Sequence, residues 1–211
     1  MRKPYVILSA AMSLDGKIGR HDKRIVFSNE EDKKRVHELR SKVDAIMVGI
    51  NTILVDNPKL TAHYSESKKN PIRIIVDSKA RTPENANVLN NDAKTIIAVS
   101  QNAPELGVKK LEKKGVEIIK TGRDKVNLIY LMEKLYRKGI KSILLEGGGT
   151  LIHSMFSLSL IDEIYLTIAP KILGMGVELI NGDLEKEIKL NLEGIRQINE
   201  LIVLHYTIEK K

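Results

Sequence analysis

The sequence of 211 residues contains no cysteine. Without thiols the chain can form no disulfide, cannot use a thiolate as a nucleophile and cannot build a zinc site that needs cysteine. The five histidines are scattered along the chain, and none forms the four-residue pair with a nearby acid that is typical of a metal site on a helix. We therefore expect a protein that holds no metal ion.

Aromatic residues are also scarce, at 4% of the chain. Proteins that bind single-stranded nucleic acid regardless of sequence stack the bases on aromatic side chains, so nucleic acid is not the partner that we expect. The net charge of +8 suits an anionic partner, and a phosphorylated small molecule fits it. The plain alternative is a solvated surface rich in lysine and glutamate, of the kind that thermophile proteins favour.

Long apolar runs are absent as well. No stretch approaches the ~20 residues that cross a bilayer, and the first apolar run is too short and is broken by Asp15, which does not fit a signal peptide. We expect a cytoplasmic protein that does not contact a membrane. The chain has no linker rich in proline, glycine or serine, and no repeat, which predicts one domain over residues 1–211.

Short runs rich in β-forming residues alternate with segments of helical periodicity, which predicts an α/β fold. The strands AIMVG, RIIV and SILL are continuously apolar, as in a parallel sheet that is covered on both faces, and Gly115 and Gly139 stand where helices should end. The last two strand-like segments, EIKLNLEGIRQIN and ELIVLHYTIEKK, have no helical pattern between them. We therefore predict a mostly parallel central sheet with antiparallel C-terminal strands.

One stretch, SILLEGGGTLIHSMF, places three glycines between a predicted strand and a predicted helix: Gly147, Gly148 and Gly149. Glycine loses much backbone entropy on folding, so three in succession indicate that something approaches the backbone closely. Backbone N–H groups at the start of a helix bind anions, and a pyrophosphate is the natural ligand. The spacing is neither GxGxxG nor GxxxxGK[ST], and a tight strand-to-helix turn is the alternative.

Three further stretches combine polar groups with strand ends. VGINTILVDNPKLT sets Thr52 and Asp56 on one face if it is helical, with a threonine or asparagine as helix N-cap and a solvated aspartate as the alternative. LSAAMSLDGKIG leaves room for a planar ligand beside its small residues, with a β-hairpin turn as the alternative. VDSKARTP gathers a hydroxyl and two cations, Ser78, Lys79 and Arg81, as a 2′-phosphate would require.

Taken together and in this order, LSAAMSLDGKI, VGINTILVDNPKLT, RIIVDSKARTP and LLEGGGTLIHSMFSLSLIDEIYLTIAPKILG resemble the riboflavin-biosynthesis reductase family over nearly the whole chain. The resemblance is closest to the stand-alone archaeal 2,5-diamino-6-ribosylamino-4(3H)-pyrimidinone 5′-phosphate reductases. It implies a three-layer dihydrofolate-reductase-like fold, a homodimer, and NADPH as the cofactor, with NADH used less well. The implied reaction reduces a ribosylamine, opened to its C1′ imine, to a ribitylamine.

The resemblance also implies site residues. Its cofactor contacts would be Ala10, Thr52, Asp56, Ser78, Lys79, Ala80, Arg81, Gly147, Gly148, Gly149, Thr150 and Leu151. Its substrate contacts would be Lys17, Arg24, Arg40, Leu60, His63 and Glu146, with Asp56 and Glu146 as the catalytic residues. The proton donor stays open between Asp56, Glu146 and water. Arg40 has a solvated helix charge as its alternative, and His153 is expected to be a packed surface histidine.

The chain departs from the bacterial relatives in two respects. Those relatives carry a fused zinc deaminase that needs cysteine ligands, so the cysteine-free chain resembles the archaeal and fungal arrangement, in which the diamino compound is reduced. They also have a second phosphate-binding arginine where this chain has His63, so either His63, Lys17 or Arg24 takes that role or the phosphate site is built differently. The alternatives are reduction of the deaminated 5-amino-6-(5-phosphoribosylamino)uracil, a related pteridine or dihydrofolate reductase, and a basic nucleotide- or RNA-binding module without turnover.

Overall fold

A computed structural model describes residues 2–20, 25–63 and 70–209 of the protein. Contacts between residues divide the chain into two compact units. Unit 1 comprises Met1–Pro4 and His37–Ile143, and unit 2 comprises Tyr5–Val36 and Leu144–Lys211. The division falls inside helix α1 (Glu30–Ser41) and inside strand β7 (Ser142–Gly147). The single domain over residues 1–211 stays a prediction.

Unit 1 contains a parallel sheet with its strands in chain order. These strands are β3 (Ala45–Gly49), β4 (Ile72–Val76), β5 (Thr95–Val99) and β6 (Glu117–Lys120). Its helices are α2 (Ile50–Asp56), α3 (Glu105–Glu112) and α4 (Leu128–Arg137). The predicted glycine stops are confirmed, because Gly115 and Gly139 follow α3 and α4 with φ of +75° and +89°.

One side chain of β4 breaks the apolar pattern of this sheet. Arg73 is fully buried, although the sequence RIIV reads as an apolar strand. Its guanidinium donates to the carbonyl oxygens of Val88 and Asn90, at 2.7 and 3.2 Å, and to the side-chain oxygen of Asn90 at 2.8 Å. Burial lowers the pKa of Arg73. The arginine thereby holds the 3₁₀ helix η1 (Asn87–Leu89) and the residue after it on the path from β4 to β5.

Unit 2 contains the remaining strands and helix α5 (Gly149–Ser157). The strands are β1 (Tyr5–Ser13), β2 (Lys17–Gly19), β8 (Glu163–Ala169), β9 (Val177–Glu178), β10 (Leu190–Ile198) and β11 (Leu201–Ile208). In this unit the order is β10-β11-β8-β1-β7, with β1 and β8 parallel and with β11 antiparallel to both β8 and β10. The antiparallel pairing predicted for the last two strands is confirmed.

The turn after β1 corrects one alternative of the sequence analysis. The amide of Gly16 donates to the carbonyl oxygen of Ser13 at 3.0 Å, so the chain does turn at Asp15 and Gly16. Strand β2, however, forms its ladder with β9 in a separate two-stranded antiparallel sheet, in which Lys17 pairs with Glu178. The turn is therefore not that of a β1–β2 hairpin. Across residues 2–20, 25–63 and 70–209, none of the helices has the length and apolar character that a membrane span requires.

Candidate functional site

In unit 2 the three glycines form the turn between β7 and α5. Gly147 has a φ of +111°, a conformation that side chains of L-residues disfavour, and the peptide bond between Gly147 and Gly148 is cis. Gly148 is the N-cap of α5, and as a glycine it has no side chain to cap the helix. Gly148 also accepts backbone hydrogen bonds from Leu151 and Ile152. The first N–H groups of α5 thus start from a turn without a capping side chain, which suits an anion.

Gly149 is small for a different reason. A Cβ at this position would overlap the backbone carbonyl oxygen of Glu178 and would lie 3.2 Å from the Cβ of Asn181. The side-chain amide of Asn181 also donates to the hydroxyl oxygen of Thr150, at 3.5 Å. The close approach that the three glycines indicate is therefore made, at this position, by the chain itself. We call residues 177–183 the β9 segment.

Two predicted substrate residues lie in the same unit. The ammonium group of Lys17 forms an ion pair with Glu178 at 2.9 Å, and the Lys17 side chain is only 17% exposed. Glu146 precedes Gly147 at the end of β7 and is half-buried. Among the predicted cofactor residues, Ala10 is half-buried in β1, Thr150 is exposed and Leu151 is buried in the core.

The turn after β1 contains a carboxylate, that of Asp15, whose structural role the sequence did not predict. Asp15 accepts hydrogen bonds from the backbone amides of Leu173 and Gly174, at 3.0 and 2.7 Å. A hydrogen bond with the side chain of Ser13 and those two amide bonds lower the pKa of Asp15 to about 2. Asp15 therefore ties the turn to the chain that follows β8.

In unit 1, two predicted cofactor segments follow neighbouring parallel strands. Gly49, at the end of β3, pairs in register with Val76 at the end of β4. The carboxyl ends of parallel strands meet at one edge of a sheet, and ligands of open α/β sheets bind at that edge. The structure therefore brings the start of α2 and the loop after β4 to the same edge of this sheet.

Helix α2 contains Thr52 and Asp56 one turn apart, as predicted if the segment is helical. The N-cap is Gly49 and has no side-chain hydrogen bond, so the alternative of a capping Thr52 is not what the structure shows. Thr52 is half-buried and Asp56 is exposed. The next residue, Asn57, ends the helix with a φ of 42°, and its side-chain and backbone oxygens accept hydrogen bonds from Asn87.

The loop after β4 contains the predicted adenosine-phosphate residues. The hydroxyl oxygen of Ser78 accepts a hydrogen bond from the amide of Val126 at 3.0 Å. Lys79 and Arg81 are exposed, whereas Ala80 is buried with a φ of 50°. A residue that the sequence analysis did not single out, Asp77, lies fully buried at the base of the loop.

Arg40 and His63 come together around Thr61, also in unit 1. The guanidinium of Arg40 donates to the carbonyl oxygen of Thr61 at 3.0 Å, so Arg40 is not simply a solvated charge. The hydroxyl of Thr61 lies 2.6 Å from Nε2 of His63. His37, three residues before Arg40 on α1, accepts a hydrogen bond at Nδ1 from the amide of His63 at 3.0 Å. His37 and Arg40 are three residues apart on one helix, and this spacing could have added His37 to the candidate residues.

The remaining predicted residues are placed as follows. Leu60 is buried, with a left-handed φ of 50°, so its side chain belongs to the core. Arg24 lies outside the described residues. His153 is on α5, where Nε2 is 2.8 Å from the carbonyl oxygen of Asp183, as expected for a packed surface histidine.

Within the part of the chain that the structure describes, no three His, Asp or Glu side chains converge in a way that could hold a metal ion. A surface cleft of about 370 Å³ lies in unit 1 and is lined by Arg2, Glu133, Tyr136, Arg137 and Lys141. It contains none of the predicted site residues.

Comparison with known proteins identifies the sequence as a whole. The model of the RibD C-terminal domain matches residues 4–204. This chain belongs to the RibD C-terminal domain family. The resemblance found in the four sequence motifs is thereby confirmed.

Individual RibD-family relatives cover almost the entire chain. A Methanothermobacter thermautotrophicus protein named 2,5-diamino-6-ribosylamino-4(3H)-pyrimidinone 5′-phosphate reductase is 44% identical over 98% of this chain and 99% of its own length. The structure of a Thermotoga maritima diaminohydroxyphosphoribosylaminopyrimidine deaminase/5-amino-6-(5-phosphoribosylamino)uracil reductase matches with a TM-score of 0.81 and 26% identity. That match covers 98% of this chain and 57% of the Thermotoga chain, so this chain spans little more than half of the two-function protein.

A Corynebacterium diphtheriae pyrimidine reductase-like protein has a TM-score of 0.87 at 22% identity, over 99% of this chain and 93% of its own. At that identity the similarity concerns the fold. Together with the sheets described above, it confirms the predicted α/β class with mostly parallel strands and antiparallel C-terminal strands.

Proposed function

We propose that this RibD-family chain is an enzyme, an oxidoreductase that uses NADPH to reduce the ribosyl side chain of 2,5-diamino-6-ribosylamino-4(3H)-pyrimidinone 5′-phosphate to the ribitylamino product. The observation that carries the proposal is the 44% identity, over nearly the full length of both chains, to a protein named as that reductase. The deaminated uracil compound is the alternative substrate, and it is part of the name of the Thermotoga relative.

The turn between β7 and α5 fits the pyrophosphate of a dinucleotide. Gly147 needs its positive φ, and Gly148 caps α5 without a side chain, so nothing from these two residues occupies the start of the helix. An anion there would meet backbone N–H groups and the positive end of the helix dipole. We assign Gly147, Gly148 and the N–H groups of the first turn of α5 to this role, while Gly149 is required by the β9 segment.

The loop after β4 fits a phosphate monoester. Arg81 and Lys79 are exposed cations, and the Ser78 oxygen accepts from Val126, which leaves the hydroxyl hydrogen to be donated. We assign these three residues to the 2′-phosphate of NADPH, by the logic that separates NADP sites from NAD sites. Thr52 and Asp56, on the helix that begins at the same edge of this sheet, are assigned to the cofactor as well.

When bound, NADPH supplies the hydride. The substrate must first open its ribose ring to a C1′ imine, because a closed ribosylamine accepts no hydride, and protonation of the imine nitrogen makes C1′ electrophilic. Glu146 is the carboxylate that we assign to the substrate, where it would accept hydrogen bonds from the amino-pyrimidine and stabilise the positive charge of the iminium. Asp56, Glu146 and water stay open as the source of the proton.

The substrate phosphate is assigned to Arg40 and His63. Both contact Thr61, and Arg40 is an arginine of the type that binds phosphate through two parallel hydrogen bonds. Lys17 is a weaker candidate than the sequence suggested, because Glu178 already neutralises its ammonium group. His63 lies at the position where the resemblance described above implies a second arginine in the bacterial relatives.

The decisive experiment follows NADPH oxidation at 340 nm with the diamino substrate and, separately, with its deaminated counterpart. The proposal predicts turnover with the diamino compound and a much lower kcat/KM with the uracil compound. Faster reduction of the uracil compound would shift the proposal to the alternative substrate. No oxidation with either compound, together with RNA binding that weakens steeply with salt, would favour a binding module without turnover.

The homodimer and the cytoplasmic location stay predictions. In support of a dimer, the edge strand β10 exposes Leu190, Leu192 and Ile195, and exposed apolar strand edges favour association. Light scattering coupled to size-exclusion chromatography would test the mass of the protein in solution.

A further inference from the structure

Asp77, the first residue after β4, carries a carboxylate that is only half satisfied. The side chain is 0% exposed. Its Oδ2 accepts hydrogen bonds from the amide and the hydroxyl of Thr82, at 2.8 and 2.9 Å. Its Oδ1 is buried too, and among the described residues no donor lies within hydrogen-bond distance of it. Burying a carboxylate oxygen without a donor is costly, so a specific purpose is expected at this atom.

Arg81 is the cation that faces this oxygen. Nε of Arg81 lies 3.6 Å from Oδ1 of Asp77, which is an ion pair but too long for a hydrogen bond. The Arg81 side chain is nevertheless 48% exposed. A guanidinium has donors on several edges, so an arginine whose Nε faces a buried carboxylate has its terminal nitrogens left for a second anion.

The backbone between the two residues is fixed. The amide of Ala80 donates to the carbonyl oxygen of Asp77 at 3.1 Å, and the amide of Asp77 donates to Ala98 on β5 at 2.9 Å. On the other side of the loop, the carbonyl of Ala80 would lie 2.8 Å from any Cβ added to Gly107. Because the main chain is held in this way, the direction of the Arg81 side chain depends on the carboxylate beside it.

We propose that Asp77 is a positioning residue, which orients Arg81 to bind a phosphate monoester and thereby sets the preference for NADPH over NADH. The inference rests on the proposed function, because the phosphate monoester is the 2′-phosphate of NADPH. Without the carboxylate, Arg81 keeps its charge but loses its orientation, and it must pay the entropy of ordering a long side chain when the ligand binds. Asp77 itself does not touch the ligand.

The test measures the binding of NADPH, NADH, 2′-AMP and adenosine to the full chain and to Asp77→Asn, Arg81→Ala and the double variant. We expect D77N to weaken NADPH and 2′-AMP roughly tenfold, the size of one hydrogen bond to a charged group. NADH and adenosine should change less than about twofold. The double variant should bind NADPH no more weakly than R81A alone, because the two residues act as one unit.

Two controls separate positioning from folding. Thr82→Ala removes a donor from the other oxygen of Asp77, so it should lower the melting temperature without changing the ratio of NADPH to NADH affinity. Arg81→Lys, at an exposed position, keeps the charge but not the fork of donors, so it should lose the preference even if D77N folds poorly.

The outcomes that overturn the inference differ from those that overturn the function. A wild-type protein that prefers NADPH, with a D77N variant that weakens NADPH and NADH equally or adds fully to R81A, would overturn the positioning role alone. An R81K variant with the full wild-type preference would do the same. A wild-type protein that binds neither dinucleotide would overturn the proposed function, and this inference with it.

Discussion

The backbone carbonyl of Glu178 lies so close to Gly149 that a Cβ on residue 149 would overlap it. The side chain of the same glutamate forms the ion pair with Lys17, on the strand that pairs with β9. One residue thus contacts the glycine turn through its main chain and β2 through its carboxylate. Both contacts lie within unit 2, and both can be tested in the protein without ligand.

Gly149→Ala should destabilise the protein by about 1–3 kcal/mol, the usual cost of forcing an extra group into a packed position. Urea denaturation measures the free energy of unfolding. Gly194→Ala is the matched control, because a Cβ on Gly194 would have no neighbour within 4 Å. A Gly149→Ala variant of wild-type stability that has lost only NADPH affinity would show that the ligand, and not Glu178, requires glycine there.

Asp56→Asn should lower NADPH affinity or kcat tenfold or more, in the range lost when a charged contact or a proton-transfer group is removed. Asp56 is an exposed residue at the end of α2, so the free energy of unfolding should change by less than about 0.5 kcal/mol. Asp124→Asn, another exposed aspartate of unit 1, is the control for the charge. Unchanged kinetics in D56N would remove Asp56 from the site.

Arg40→Ala should raise KM for the phosphorylated substrate by roughly tenfold, because a charge-assisted phosphate contact is lost. With the dephosphorylated substrate, the variant and the wild type should have the same KM, because neither protein can form a phosphate contact with it. Arg137→Ala removes an equally positive but exposed side chain, paired with Glu133 on α4, and should change neither value. Equal losses with both substrates would mean that Arg40 acts through the fold around Thr61.

Acid should remove the contribution of Asp15 to stability. The pKa of this carboxyl is lowered to about 2 in the folded chain, from an ordinary value of 3.8. Its stabilising effect is therefore complete above about pH 4 and is lost as the pH falls through the folded pKa. Melting temperatures of wild type and Asp15→Ala should differ by a constant amount down to about pH 4 and converge towards pH 2. A difference that persists at pH 2 would exclude the charged form as the cause.

The fold was predictable because its signals are local. The continuous apolar runs of β3 and β7, and the glycines after α3 and α4, each lie within one segment of the chain, and the structure agrees with them. Strand β9 has only two residues, so no periodicity could reveal it or its pairing with β2. The alternative of a β-hairpin after β1 was wrong for a related reason. The strand that pairs with β2 is β9, which is more than 150 residues away in the sequence.

The candidate site could be predicted only as a set of residues at strand ends. Their partners were not, since Asp77 looks like any turn aspartate until its burial is known, and His37 looks like a solvated helix residue. Gly149 is the instructive case: the sequence showed that something must approach, but only the structure shows that Glu178 does so. Burial and contacts between residues far apart in the sequence determine these interactions, and the neighbouring residues in the sequence do not predict either.

Arg73 has a consequence for any attempt to improve the core of β4. The crossover from β4 to β5 has only the 3₁₀ helix η1 and no α-helix. From β4, the Arg73 guanidinium donates to the carbonyl oxygen of Val88 and to the side-chain oxygen of Asn90 on this crossover. A leucine at position 73 would match its apolar neighbours yet strip donors from the carbonyl and the side-chain oxygen of Asn90. In this strand, the more hydrophobic sequence would give the less stable protein.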